Sequence, residues 1–106
     1  MDLQKTNRGF ALGEFADRNG QSCSLQKSSV ATEDCIWLGL NDADPKIMCS
    51  DARALGIQPE SDAGWMSYPI PEAVSLHTRM HLSRDQVRDL LPALQHFVDT
   101  GELPTQ

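Results

Sequence analysis

The sequence predicts an α+β fold: an antiparallel sheet of about four strands with a C-terminal, proline-kinked amphipathic helix packed on one face. Three observations predict it. Residues 82–101 write out a helix with both ends specified, a period-two alternation feeds straight into that helix, and two strand-like runs flank the turn signal Asp17-Arg18-Asn19-Gly20. At 106 residues the chain suits a single domain that buries an ordinary core without disulfides or metal.

In chain order, residues 1–8 carry no element and are a candidate for disorder. Residues 9–15 and 22–28 form a hairpin with two available registers. An Asn19-Gly20 type I′ loop pairs Glu14 with Leu25, whereas a type I turn with a glycine bulge at Gly20 pairs Phe15 with Cys23 and Gly13 with Leu25. The second gives the cleaner apolar face and sets Asp17 and Gly20 at favoured ends of a type I turn. The choice matters because a one-residue slip turns every side chain to the opposite face. Ser22, Ser24, Gln26 and Ser28 then share a hydroxyl-rich face, read as a solvated edge.

Cys35-Ile36-Trp37-Leu38-Gly39-Leu40 is a continuous apolar run, the pattern of a central strand covered on both faces, and Asn41-Asp42-Ala43-Asp44-Pro45 ends it. Ser50 as N-cap and Gly56 as the glycine beyond the last turn bracket one or two helical turns. Residues 57–72, with Pro59, Gly64, Pro69 and Pro71, read as an irregular surface loop, a kind uncommon unless functional or mobile. Val74, Leu76, Thr78, Met80 and Leu82 then alternate with Ser75, His77, Arg79 and His81, a half-buried strand whose second set faces away from the core.

Val87, Leu90, Leu91, Leu94, Phe97 and Val98 recur at three-and-four spacing and form one apolar stripe. Ser83 and Gln86 make a capping box, with Leu82 and Val87 placed as a hydrophobic staple. Gly101 supplies the left-handed stop, and Pro104 prevents resumption in the tail at 102–106. Pro92 removes an amide donor and clashes with the Arg88 carbonyl, so a bend is expected there, with two separate helices as the runner-up.

Lysine plus arginine is 9 against 15 acidic residues, net −6. The excess is local: residues 31–72 hold only Lys46 and Arg53 against eight carboxylates. Phosphate binding draws its affinity from basic side chains, so a nucleic-acid partner is not expected. No window approaches the roughly 20 apolar residues of a membrane span, and the N-terminus lacks an apolar leader core, so a cytosolic location without a membrane partner is expected. Cys23, Cys35 and Cys49, odd in number and without a C-x-x-C pair, fit reduced thiols buried as small hydrophobes.

No catalytic signature is present, and no cofactor or metal is expected. His77 and His81 lie about 13 Å apart on a strand rising ~3.3 Å per residue, too far to share one ion. The cysteines have no local base, Asp17-Arg18-Asn19-Gly20 and Asp42-Ala43-Asp44 do not continue to a calcium-closing glutamate, and the phosphate-loop and serine-hydrolase patterns are absent. Two candidate binding surfaces remain. Ser75, His77, Arg79 and His81 make a polar stripe suited to an anion or acidic peptide, against the plainer reading of solvated histidines. Trp65 and Tyr68, on a proline-fixed loop, make an aromatic patch, against the alternative that Trp65 folds back on the core.

Residues 8–10, 21–29, 33–39 and 79–86, the last reading Arg79-Met80-His81-Leu82-Ser83-Arg84-Asp85-Gln86, resemble a group of small uncharacterised bacterial proteins met in prophages and Burkholderia-type genomes. The resemblance spans nearly the whole chain and brings no activity, cofactor or catalytic residue. It implies a cytosolic or phage-related accessory protein. The expected function is therefore a non-enzymatic protein-binding module, its partner another protein or a second copy of the chain. A small-ligand protein or enzyme using His77, Arg79 or His81 is the alternative, and nucleic-acid binding the third.

Overall fold

A computed structural model describes residues 1–105. Its strands in chain order are β1 (Leu3–Lys5), β2 (Ala11–Ala16), β3 (Ser22–Lys27), β4 (Cys35–Leu40), β5 (Lys46–Met48), β6 (Trp65–Ser67) and β7 (Arg79–Ser83); its helices are α1 (Cys49–Ala52) and α2 (Arg84–Thr100). The chain divides into two compact units: Met1–Asn41 with the chain from Thr78 onward, and Asp42–His77.

The first unit is a five-stranded antiparallel sheet in the order β1-β2-β3-β4-β7, followed by α2. The expected α+β class holds, with five strands in this sheet where about four were expected. The hairpin takes the bulged register, Phe15 opposite Cys23 and Gly13 opposite Leu25. Asp17 builds its turn: one carboxylate oxygen accepts from the amides of Asn19 at 2.8 Å and Gln21 at 2.9 Å, while Gly20 takes the left-handed φ of +84°. Residues 3–5, read as part of a disordered end, instead add β1 to the edge of β2.

Register sorts the sheet into two faces. Leu3, Phe15, Leu25, Leu38, Met80 and Leu82 project to one side, and Glu14, Ser24, Gln26, Trp37, Arg79 and His81 to the other. β4 lies between β3 and β7 as a central strand, yet Ile36 to Leu40 are half-buried, so the apolar run is not covered on both faces. The alternation read over residues 74–82 holds only from Arg79; Val74 and Leu76 are exposed and lie outside any strand, because β4 offers pairing partners only from Cys35 to Gly39.

At the start of α2 the capping box is complete: the Gln86 amide donates to Ser83 Oγ at 3.2 Å, and the Ser83 amide donates to Gln86 Oε1 at 2.9 Å. At its end Gly101 is left-handed and its amide donates to the Phe97 carbonyl. The helix runs through Pro92 as one element, not two. Its seat corrects the expectation that it packs on the sheet. No residue of α2 is buried, Leu90, Leu91, Leu94 and Phe97 are exposed, and Val98 is 76% exposed. The cause is local: Ser83 ends β7 and caps α2 at once, leaving no loop residue to turn the helix back over its own sheet.

The second unit is a two-stranded ribbon, β5 against β6, joined through α1 and a 3-10 turn at Arg53–Leu55. Ile47 and Met66 sit opposite each other and form, with Cys49 and Ala52, a small buried cluster onto which Ile57 and Tyr68 pack. The segment 57–72, expected to be irregular throughout, thus contributes a strand. The helical turns also begin earlier than expected, with Met48 rather than Ser50 at the cap position, and Gly56 closes them at φ +74°.

Candidate functional site

The polar face of the first unit carries a bonded constellation centred on Trp37. β7 sets His81 opposite Trp37, and the two rings stack with centroids 3.9 Å apart and planes 12° off parallel. Two residues along β7, the Arg79 guanidinium stands 5.5 Å from the Trp37 ring centroid, in the range of a cation–π contact. Arg79 also reaches over β4 to β3, donating to Gln26 Oε1 at 2.8 Å and Ser24 Oγ at 3.3 Å. His81 Nε2 and Ser28 Oγ share a hydrogen bond of 2.9 Å. Ser24 and Ser28, expected on a solvated edge, are only 3% and 2% exposed, because the two β7 side chains lie over them.

The sequence-derived candidates are therefore divided. Arg79 and His81 belong together; Ser75 and His77 lie in the second unit, exposed and outside any strand. In that unit Trp65 and Tyr68 separate as well. Trp65 is 69% exposed on β6, whereas Tyr68 packs against the Ile47 cluster, so the two do not make one aromatic patch. Trp37, Ser24, Gln26 and Ser28 were missed as site residues. Their signal was present: a tryptophan in a strand whose neighbour carries polar residues at every second position.

The apolar face holds the other candidate. Where α2 leaves the sheet, Ile36, Leu82, Val87 and Leu91 line an open cleft of about 560 Å³ with Lys27, Arg84 and Arg88 at its edge. Lys27 and Arg84 meet Asp34 at 3.4 and 3.9 Å, and Arg88 meets Asp85 at 2.6 Å, so the rim is an ion-pair network around an apolar floor. The floor continues along α2 through the exposed Leu94, Phe97 and Val98 and over the sheet to Met80, Phe15 and Leu3. An apolar centre with a charged rim is the anatomy of a protein-binding surface.

All three cysteines are buried and free. Burial first, then the charge and hydrogen bond of Glu33, push the Cys35 thiol above its ordinary value; Lys27 pulls the other way and Asp34 adds to the rise. A raised value keeps the sulfur protonated and un-nucleophilic. At pH 8, iodoacetamide should therefore alkylate Cys35 in the native chain several-fold more slowly than free cysteine, while denaturation makes it react at the free rate. Native alkylation of Cys35 at the free-thiol rate would refute that inert role. No family model, curated protein or solved structure matches the chain.

Proposed function

We propose that this chain is a non-enzymatic protein-binding module that docks through the apolar surface of its first unit. One observation carries the reading: α2 bears a continuous apolar stripe and buries no residue, beside a sheet face that leaves Leu3, Phe15 and Met80 exposed. Large exposed apolar patches on a folded chain mark interaction sites. The buried thiols fit a reducing cytosol, and an accessory role in such a compartment accords with the missing catalytic motifs. Affinity capture with wild type, with a Leu94→Glu, Phe97→Glu variant and with a Trp65→Ala, Tyr68→Ala variant tests it. Bound protein should be lost from the helix variant and kept by the aromatic one. Retention by both would overturn docking through α2, and loss from the aromatic variant alone would move the surface to the second unit.

A second reading has its own support. Arg79 is held by neutral acceptors and, among the described residues, pairs with no carboxylate. Beside it a shallow cleft of about 260 Å³ is lined by Leu12, Glu14 and Asn41. A small anion reaching the Arg79 guanidinium would suit it. Glu14 at the same cleft opposes a high negative charge, so this reading ranks second.

A further inference from the structure

Resting on the reading of α2 as a docking surface, we propose that its occupant is a second copy of this chain, α2 of each copy lying across the apolar sheet face of the other. The chain carries two unpartnered apolar surfaces, a helix stripe and a sheet face, and they are complementary in kind: helix on sheet is a standard layer pairing. Within one chain they cannot meet beyond the first two turns. Ser83 is both the last residue of β7 and the cap of α2, so after Val87 and Leu91 the stripe departs from its own sheet. A twofold axis removes the conflict, because it places each stripe over the other copy's face and closes the assembly at two chains.

Area supports the pairing. The five exposed apolar residues of α2 with Leu3, Phe15 and Met80 present on the order of 800 Å² per chain over the two surfaces together, about the share that each partner gives to a standard interface. Twofold pairing brings the total near the ~1,600 Å² of a standard stable interface. Charge does not oppose it. The first unit, whose surface would be joined, holds seven basic and nine acidic residues, a net of −2, whereas the second holds two against six.

Sedimentation equilibrium of the full chain at micromolar concentrations tests the inference. Wild type should show twice the chain mass, and Leu94→Glu, Phe97→Glu the single mass with unchanged far-ultraviolet circular dichroism, since both side chains are exposed within one chain. Mixing copies carrying Met80→Cys with copies carrying Val98→Cys should give an oxidised heterodimer, whereas a Val98→Cys pair alone should not cross-link. A wild-type monomer that binds an apolar dye, with binding lost in the Glu variant, would overturn the dimer and leave the docking surface to a different protein. A monomer that binds no dye would overturn both. A dimer unaffected by the Glu substitutions, or one cross-linked through Val98→Cys alone, would overturn this arrangement.

Discussion

Gly39→Ala is expected to destabilise the first unit by about 2 kcal/mol or more, the range for a residue forced into sparsely populated backbone space with added steric conflict. Gly39 has φ +148°, a conformation that side-chain-bearing residues rarely adopt. A Cβ there would stand 2.8 Å from the Thr78 carbonyl oxygen and 3.0 Å from Arg79 Cα. These are backbone atoms at the start of β7, and they can move only by displacing the strand. Gly39 pairs with Ser24 on one side and Arg79 on the other, so that displacement would also draw the guanidinium from its acceptors on β3. Gly13 is the internal control. A Cβ at Gly13 meets the ends of the Met1 and Leu3 side chains at 2.6–2.9 Å, which can swing aside, so Gly13→Ala should be tolerated far better. Urea titration of both variants checks this; a Gly39→Ala loss below about 0.5 kcal/mol would show that β7 does not approach β4 as described.

The contrast between those glycines shows where reading residues in order succeeds and where it stops. Features set by neighbours a few residues apart were legible: the Asp17 turn with its register, the Ser83–Gln86 box, the Gly101 stop, and the alternation of Arg79 and His81 against Met80 and Leu82. Features set across the sheet were not. Ser24 and Ser28 look like a wet edge until residues 55 and 53 positions away cover them. Gly39 inside an apolar run signals close approach of another backbone, but which strand approaches is a matter of topology. The β5–β6 pairing hides in proline- and glycine-punctuated sequence because each strand is three residues long, too short to show a period. The stripe of α2 was read correctly as apolar and wrongly as satisfied: periodicity says that a face must be covered, not by which chain.

Met66→Ala is expected to unfold the second unit while leaving the sheet of the first intact. Met66 is 5% exposed and faces Ile47 across the ribbon, with Cys49 and Ala52 completing the buried cluster. Truncating a buried methionine typically costs about 2–5 kcal/mol, through lost burial and the cavity left behind. The second unit has little to offset it. Its span from Asp42 to His77 falls below the ~40 residues at which a core without disulfides or metal usually stands, and its buried residues are only these four. The ladder of β2, β3 and β4 makes no use of Met66, so local opening is the expected response. Native-state hydrogen exchange separates the outcomes. In the variant, amides of β5 and β6 should lose protection by two orders of magnitude or more, the fold-change that about 3 kcal/mol gives, while those of β3 and β4 keep theirs. Equal loss in both units would mean that they unfold as one. Unchanged protection in β5 and β6 would mean that Met66 is not the keystone its burial implies. The same variant bears on function: if docking belongs to α2 and the sheet, Met66→Ala should retain bound protein in the capture assay even with the second unit open.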